Sequence, residues 1–263
     1  LLTVKKYKFI FITGAYNAER YADRYFENIF NQTYKNFNIW YTCDGCTDDT
    51  YDIAKKYLRQ QDILTVNPYE NRGPMSSTMK NLSHHDKYKS DSIIYIYLDG
   101  DDWLYGNDVL EYLNTEFQND STWMVYNGCN MVYGLDVDSP SEKRVGEDDA
   151  YTEEEFNVGL RKVYRWKGMH LKAWRASLWS HIDTNRYKML FHAGDRAWFF
   201  DLADLCGFDH IKTLKKPLMV YNLHNPINHH KVHGLSDAKK EITFISNMTP
   251  LRELQNLSNL QNE

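Results

Sequence analysis

Ile93-Ile94-Tyr95-Ile96-Tyr97-Leu98-Asp99-Gly100-Asp101-Asp102-Trp103 is the stretch whose reading decides the fold. Six apolar or aromatic residues in succession suit a buried strand, and three carboxylates around a glycine follow at once. Acids collected at a buried strand end are costly unless something cationic neutralises them. A hard divalent cation on oxygen ligands is the natural candidate, and Asp-x-Asp puts two carboxylates within reach of one ion. Gly100 permits a tight turn and a close approach of a ligand to the backbone. Asp-rich turns after strands are also common as plain structure, so the rest of the chain has to decide.

Outward from this run, the first half alternates strand-like and helix-like segments, which predicts an α/β fold with a largely parallel sheet. Lys8 to Thr13, Phe37 to Cys43, Ile63 to Val66 and Ser92 to Leu98 read as strands. Glu19 to Gln32 has helical periodicity through Tyr21, Tyr25, Ile29 and Phe30. Asp48 to Gln60 has acids in its first turn and Lys55, Lys56 and Arg59 toward its end, as the helix dipole prefers. Pro74 opens a helix to about Ser83, Gly106 to Phe117 is another, Thr122 to Asn127 is a strand, Asp195 to Leu205 is helical, and Leu218 to Leu223 is a late strand. Gly134 to Ala150 reads as a polar surface loop, and Asn225 to Gly234 as a His- and Asn-rich loop. Thr249-Pro250 is a helix-start pair, with Leu251, Leu254, Leu257 and Leu260 recurring every three residues. That stripe is expected to pack on the domain or, as the alternative, to make a homodimer contact.

The 263 residues can bury a substantial core. A net charge of −5 argues against a general nucleic-acid binder, which needs a basic excess to neutralise phosphates. No apolar run approaches the length of a membrane span, and the start, at Leu1, carries no signal-peptide pattern. Cys43, Cys46, Cys129 and Cys206 are too scattered for a disulfide framework, and the lone Cys-x-x-Cys has no second half with which to complete a zinc site. A reducing, cytoplasmic setting is expected. Aromatic residues reach 15%, an excess that suits core packing and also the stacking of sugar faces.

Several segments, taken in order, resemble the family 2 glycosyltransferases of the GT-A fold. "FITGAYNAERY" resembles the turn after the family's first strand, and "NQTYKNFNIW" its Gln-Thr-Tyr-x-Asn-Phe-x-Ile segment. "TCDGCTDDT" resembles Asp-Asp-Gly-Ser-Thr-Asp-x-Thr, "ENRG" the following Asn-x-Gly, and "LDGDDWL" the metal-binding Asp-x-Asp. "YNLHNPINHHKV" resembles a carboxy-terminal motif of a subset that includes enzymes of large DNA viruses; for such a member the host-cell cytoplasm would be the setting. The resemblance covers roughly residues 7 to 233. It implies a mostly parallel twisted sheet flanked by helices over 1–235, with a nucleotide-binding half to about 105 and an acceptor half over 106–235. A helical tail over 236–263 follows.

The resemblance also implies roles. Ala15 and Tyr16 would line the nucleotide pocket, Asp44 would bind the base, typically uracil, and Gly73 would lie where the chain passes the nucleoside. Asp99 would sit near the ribose or the metal, and Asp101 would be the direct ligand of Mn²⁺ or Mg²⁺, with the Gly100 backbone between them. A late histidine often adds a metal ligand: His229, His230 and His233 are candidates, and His230 is favoured because Lys231, a possible charge for the diphosphate, follows it. Asp195 would be the general base of an inverting, single-displacement transfer from a UDP-sugar to a hydroxyl on a glycan or glycoconjugate. Trp166 and His170 would border the donor sugar, and Trp103 is a candidate wall of the sugar site, whereas Trp174 and Trp179 read as core. Plain alternatives stand beside these: Asp44 and Asp195 as helix caps, Gly73 as a turn glycine, the histidines as a solvated loop. Cys43 and Cys46 depart from the family's acid and serine, and Gly14 from its Pro or Thr. A non-catalytic nucleotide-sugar or glycan-binding domain is therefore one competing reading. A sugar-1-phosphate nucleotidyltransferase is another, although "GAYNAER" lacks the Gly-rich basic loop such enzymes carry.

Overall fold

A computed structural model describes residues 4–67, 70–88, 90–127, 132–134, 140–141, 150–163, 165–168, 170–222, 225–227, 234–255 and 257. In chain order the strands are β1 (Lys8–Ala15), β2 (Phe37–Asp44), β3 (Ile63–Asn67), β4 (Ile93–Tyr97), β5 (Trp103–Leu104), β6 (Met124–Tyr126), β7 (Val132–Gly134), β8 (Pro140–Ser141), β9 (Lys172–Arg175), β10 (Ile211–Thr213) and β11 (Met219–Asn222). The helices are α1 (Glu19–Phe30), α2 (Thr50–Tyr57), α3 (Gly73–Leu82), α4 (Val109–Glu116), α5 (Glu153–Val158), α6 (Gly194–Cys206) and α7 (Gly234–Ser246).

The main sheet has the order β10-β6-β9-β4-β1-β2-β3. Strands β3, β2, β1 and β4 run parallel to one another, β10 pairs parallel with β6, and β9 runs antiparallel between β4 and β6. Because β1 and β4 are interior strands covered on both faces, apolar residues are needed at every position. Ile10, Ile12, Tyr95 and Tyr97 face one core cluster, and Phe9, Phe11, Ile94 and Ile96 face the other. That two-sided burial is why the Ile93–Leu98 run shows no polar alternation. Each such side chain stabilises the fold by roughly 1.5–3 kcal/mol.

Helix α1 buries Tyr21, Ala22, Tyr25, Phe26 and Ile29, the last three in the second cluster. On the first face α3 packs against β1 and β2, and α6 buries Trp198, Phe199 and Leu202. Trp174 and Trp179 are buried in the same core. A smaller sheet, β5-β11-β7-β8, brings β11 back beside the chain that leaves β4. No helix among the described residues is long and apolar enough to cross a membrane.

The tail differs from expectation. Its helix is α7, ending at Ser246, and residues 249–255 are not helical. They run as a strap along α6: Leu251 N donates to Asp204 Oδ2 (2.9 Å) and Leu254 N to the Leu205 carbonyl (3.0 Å). Leu257 is buried, and Leu251 and Leu254 pack against the first core. The three-residue leucine spacing falls short of the 3.6 of an α-helix and equals the period of an extended three-per-turn chain. Tertiary hydrogen bonds to α6 take the place of helical ones over 251–254. Leu251, Leu254 and Leu257 thus pack within the domain, as the first expectation had it; Leu260 lies outside the described residues.

Helix α6 is also held by buried charge. Arg161 donates to both Asp201 and Asp204, Tyr187 Oη donates to Asp201, and Arg186 Nε lies 3.1 Å from Asp201. Burial pushes the Asp201 carboxyl up, against these donors. Removing Arg161 takes a charged donor from both Asp201 and Asp204, so Arg161→Ala is expected to cost about 3 kcal/mol, read as a lowered midpoint in urea denaturation.

Candidate active site

The site grows from the carboxyl ends of the parallel strands, which lie side by side along one edge. The register pairs Ala15 with Cys43 across β1 and β2, and Asp44 with Asn67 across β2 and β3. The turn after β4 joins this edge through Gly100 N, which donates to the Gly14 carbonyl at 2.9 Å. A Cβ at Gly100 would lie 2.6 Å from the Ala15 Cβ, so this position needs glycine for close packing.

A cavity of about 260 Å³ opens over the edge. Ala15, Tyr16, Asp44, Gly73, Asp99 and Asp101 all line it, so six residues from four sequence motifs meet in one place. Sequence reading missed Asn71, Pro74, Ser77, Tyr221, Asn225 and Ile227, which complete the wall. Asp44 is buried; Asn67 Nδ2 donates to it at 2.6 Å and Arg72 N at 3.2 Å. Burial raises its carboxyl above the usual range, and these donors offset part of that rise. Gly73 has φ +84° and sits against the Phe191 carbonyl, so it is more than a turn glycine: it lets the 191 segment touch the cavity wall.

The acid cluster is crowded. Burial, then the neighbouring Asp101 charge, pushes the Asp99 carboxyl up to about 7. Asp101 is also raised by burial and receives a hydrogen bond from Asn225 Nδ2 (2.7 Å). Asp102 is held well above the usual range by burial and then by Asp101 and Asp99. Its Oδ1 accepts from Asn222 N (2.8 Å), and its Oδ2 has no hydrogen-bond partner among the described residues. Asn222 and Asn225 belong to the "YNLHNPIN" segment, so that motif returns to the acids as a pair of hydrogen bonds. His229, His230, Lys231 and His233 lie outside the described residues. Among those that are described, no group of three or more His, Cys, Asp or Glu is arranged to hold a metal ion. Asp99 and Asp101 nevertheless put two hard oxygen donors on the same cavity wall, which fits a divalent cation.

Beside the cavity stands a second charge system. Lys172 Nζ donates to Asp195 Oδ2 at 2.8 Å. His170 Nε2 lies 3.9 Å from the same oxygen and 3.8 Å from Asp99 Oδ2. The imidazole stacks on Tyr97 (5.4 Å between centroids) and so links the acid of β4 to the acid of α6. Lys172 is fully buried on β9, its ammonium 4.8 Å from the Trp198 ring centroid and 5.3 Å from that of Trp166. Burial would raise the Asp195 carboxyl, but Lys172 and His170 outweigh it and hold the group below the ordinary range. Lys172 was not foreseen. A single lysine inside the apolar strand segment Leu171–Trp174 was the available signal, because a buried ammonium needs a carboxylate partner.

Trp166 lies next to this system, edge-on to Phe199 and Phe200. Trp103 does not line the cavity: its ring lies under the Arg24 guanidinium (4.5 Å) in a separate cleft with Glu27 and Asn28. Cys43 is buried in the second core, and the Cys46 thiol donates to the Ala15 carbonyl at 3.2 Å, bracing the turn under the cavity.

The profile of the family described as Glycosyl transferase family 2 matches residues 10–174. This chain belongs to that family, and its mostly parallel sheet flanked by helices is of the GT-A type. The cholesterol galactosyltransferase of Borreliella burgdorferi is 29% identical over 130 residues, 49% of this chain and 34% of that protein. The chain therefore spans about a third of that relative's length. Among solved structures, residues 1–349 of S. aureus TarS in complex with UDP-GlcNAc superpose with a TM-score of 0.65 at 17% identity, over 91% of this chain and 65% of that one. The mannosyltransferase PcManGT of Pyrobaculum calidifontis, in complex with GDP-Man and Mn²⁺, gives 0.51 at 14%, over 85% and 59%.

The acid cluster makes a pH prediction. The folded Asp99 carboxyl keeps its proton up to about pH 7, whereas the unfolded one loses it near about pH 4. Between these values the folded state binds more protons, so stability falls as pH rises through the window. In a chelator, the melting temperature should drop by at least about 2 °C from pH 5 to pH 8. Asp99→Asn should flatten that drop in thermal scans; an unchanged slope would place the titration elsewhere.

Proposed function

We propose that the chain transfers a sugar from a nucleotide-sugar donor, a UDP-sugar, to a hydroxyl of a glycan or glycoconjugate, with inversion at the anomeric carbon. The observation that carries this reading is the cavity in which Asp44, Gly73, Asp99 and Asp101 meet, with His170 3.8 Å from Asp99 and 3.9 Å from Asp195. The glycosyltransferase names of its relatives support it, as do the UDP-GlcNAc and GDP-Man complexes of its structural neighbours.

Asp44 accepts a hydrogen bond from the base, and the backbone at Ala15, Tyr16 and Gly73 shapes the slot around the nucleoside. Asp101 and Asp99 would hold Mn²⁺ or Mg²⁺, and the sequence offers His230 as a further ligand and Lys231 as a charge for the diphosphate. When bound, the cation supplies positive charge against the leaving diphosphate. A bound cation would favour the ionised form of both carboxyls, which burial raises in its absence. Asp195, kept ionised by Lys172, takes the proton of the acceptor hydroxyl as its oxygen attacks the anomeric carbon and the nucleoside diphosphate leaves. His170 sits between the two halves of this chemistry, and Trp166 borders the sugar.

The test is thermal stability against nucleotides and nucleotide sugars, each with and without Mn²⁺. One UDP-sugar should raise the melting temperature only with metal, by mass action, and Asp101→Ala should abolish the shift. Absence of any shift with every nucleotide would sink the donor assignment. With the donor so found, Asp195→Asn should lower kcat by about 10²–10⁴-fold. A wild type that binds donor but never turns over would instead indicate a binding domain. Release of pyrophosphate rather than nucleoside diphosphate would indicate nucleotidyl transfer.

A further inference from the structure

Helix α7, beyond the residues matched to the family, supplies a carboxylate to the segment that launches Asp195. Glu241 accepts hydrogen bonds from three successive backbone amides, Phe191 N at Oε1 and His192 N and Ala193 N at Oε2, each at 2.8 Å. These amides lead straight into α6, whose N-cap residue, Ala193, offers no side-chain acceptor. Amides at a helix start need an acceptor and favour negative charge, and bonds to an ionised carboxylate are the stronger kind. Asp195 follows two residues later.

The same segment is pressed against the donor side. A Cβ at Gly73 would lie 2.3 Å from the Phe191 carbonyl oxygen, and one at Gly194 would lie 2.3 Å from the Met75 Cβ. Residues 191–194 are therefore wedged between α7 and the first turn of α3, which lines the cavity through Gly73, Pro74 and Ser77. The far end of α6 is held separately, by Arg161 on Asp201 and Asp204 and by the tail strap on Leu205. Loss of Glu241 would thus release one end of the helix, the end that carries the base.

We propose that Glu241 is a positioning residue for Asp195: by tying down residues 191–193 it fixes where the base stands relative to the donor cavity. The proposal rests on Asp195 being the base. Its consequence is that catalytic geometry depends on a helix contributed by the C-terminal segment, since a displacement of about 1 Å at a reacting group can cost about 100-fold in rate.

The experiment compares the full-length wild type with Glu241→Ala, Glu241→Gln and Asp195→Asn. Amide hydrogen exchange is followed in peptides covering 190–197, with β1, β4 and the C-terminal half of α6 as internal controls. Turnover is followed with the UDP-sugar giving the largest thermal shift. Glu241→Ala should speed exchange over 190–197 by about tenfold and leave the controls unchanged. Its kcat should fall by about 10- to 100-fold, with the donor KM within about threefold of wild type. Glu241→Gln keeps one acceptor oxygen and should fall between. A kcat for Glu241→Ala within about twofold of wild type would overturn the proposal, as would unchanged exchange at 190–197 or exchange raised equally in the controls. Turnover by Asp195→Asn at the wild-type rate would instead refute the base assignment itself, and the exchange result would show whether the Glu241 tie exists regardless.

Discussion

The structure depends on holding carboxylates together at one sheet edge. Asp99, Asp101 and Asp102 follow β4, Asp44 ends β2, and Asp195 approaches from α6. Left to themselves, buried like charges repel and take up protons. The fold answers each differently. Asp44 is given Asn67 and the Arg72 amide, Asp101 is given Asn225, and Asp102, raised well above the usual range, is given the Asn222 amide. Among the described residues, Asp195 alone of this set has an ion pair with a buried ammonium, that of Lys172. Asp99 is left raised, with His170 at 3.8 Å.

This uneven treatment separates roles. An acid pushed upward in a dry site gains most from a cation when one arrives, which suits a ligand. An acid held down by a lysine stays ionised near neutral pH, which suits a group that must accept a proton. The ammonium that keeps Asp195 ionised also makes it a weaker base, so the geometry of attack has to contribute much of the rate. That places a premium on the segment 191–194, where Glu241, Gly73 and Met75 close in from different elements.

Much of the architecture was legible in local pattern. The Ile93–Leu98 run, the α1 stripe of Tyr21, Tyr25 and Ile29, and the acids-first helix after Asp48 were placed by periodicity and dipole preference, with ends that shifted by a few residues. The tail was misplaced because a leucine every third residue fits more than one backbone form. Only the acceptors on α6 decided between them. Trp103 follows the acids directly in sequence, yet β5 turns its ring to the other side, under Arg24.

By itself the sequence determined that a buried parallel sheet ends in acids, since unbroken apolar runs and Asp-x-Asp turns are local properties carried by consecutive residues. It also determined which acids are candidates: Asp44, Asp99, Asp101 and Asp195. Only the tertiary structure decided how those acids are partnered. Lys172 and Asp195 are 23 residues apart, Asn225 and Asp101 124 apart, and Glu241 and Phe191 50 apart. The free energy of an ionisable group is set by what surrounds it in space, and spacing along the chain carries no record of partners brought from so far away.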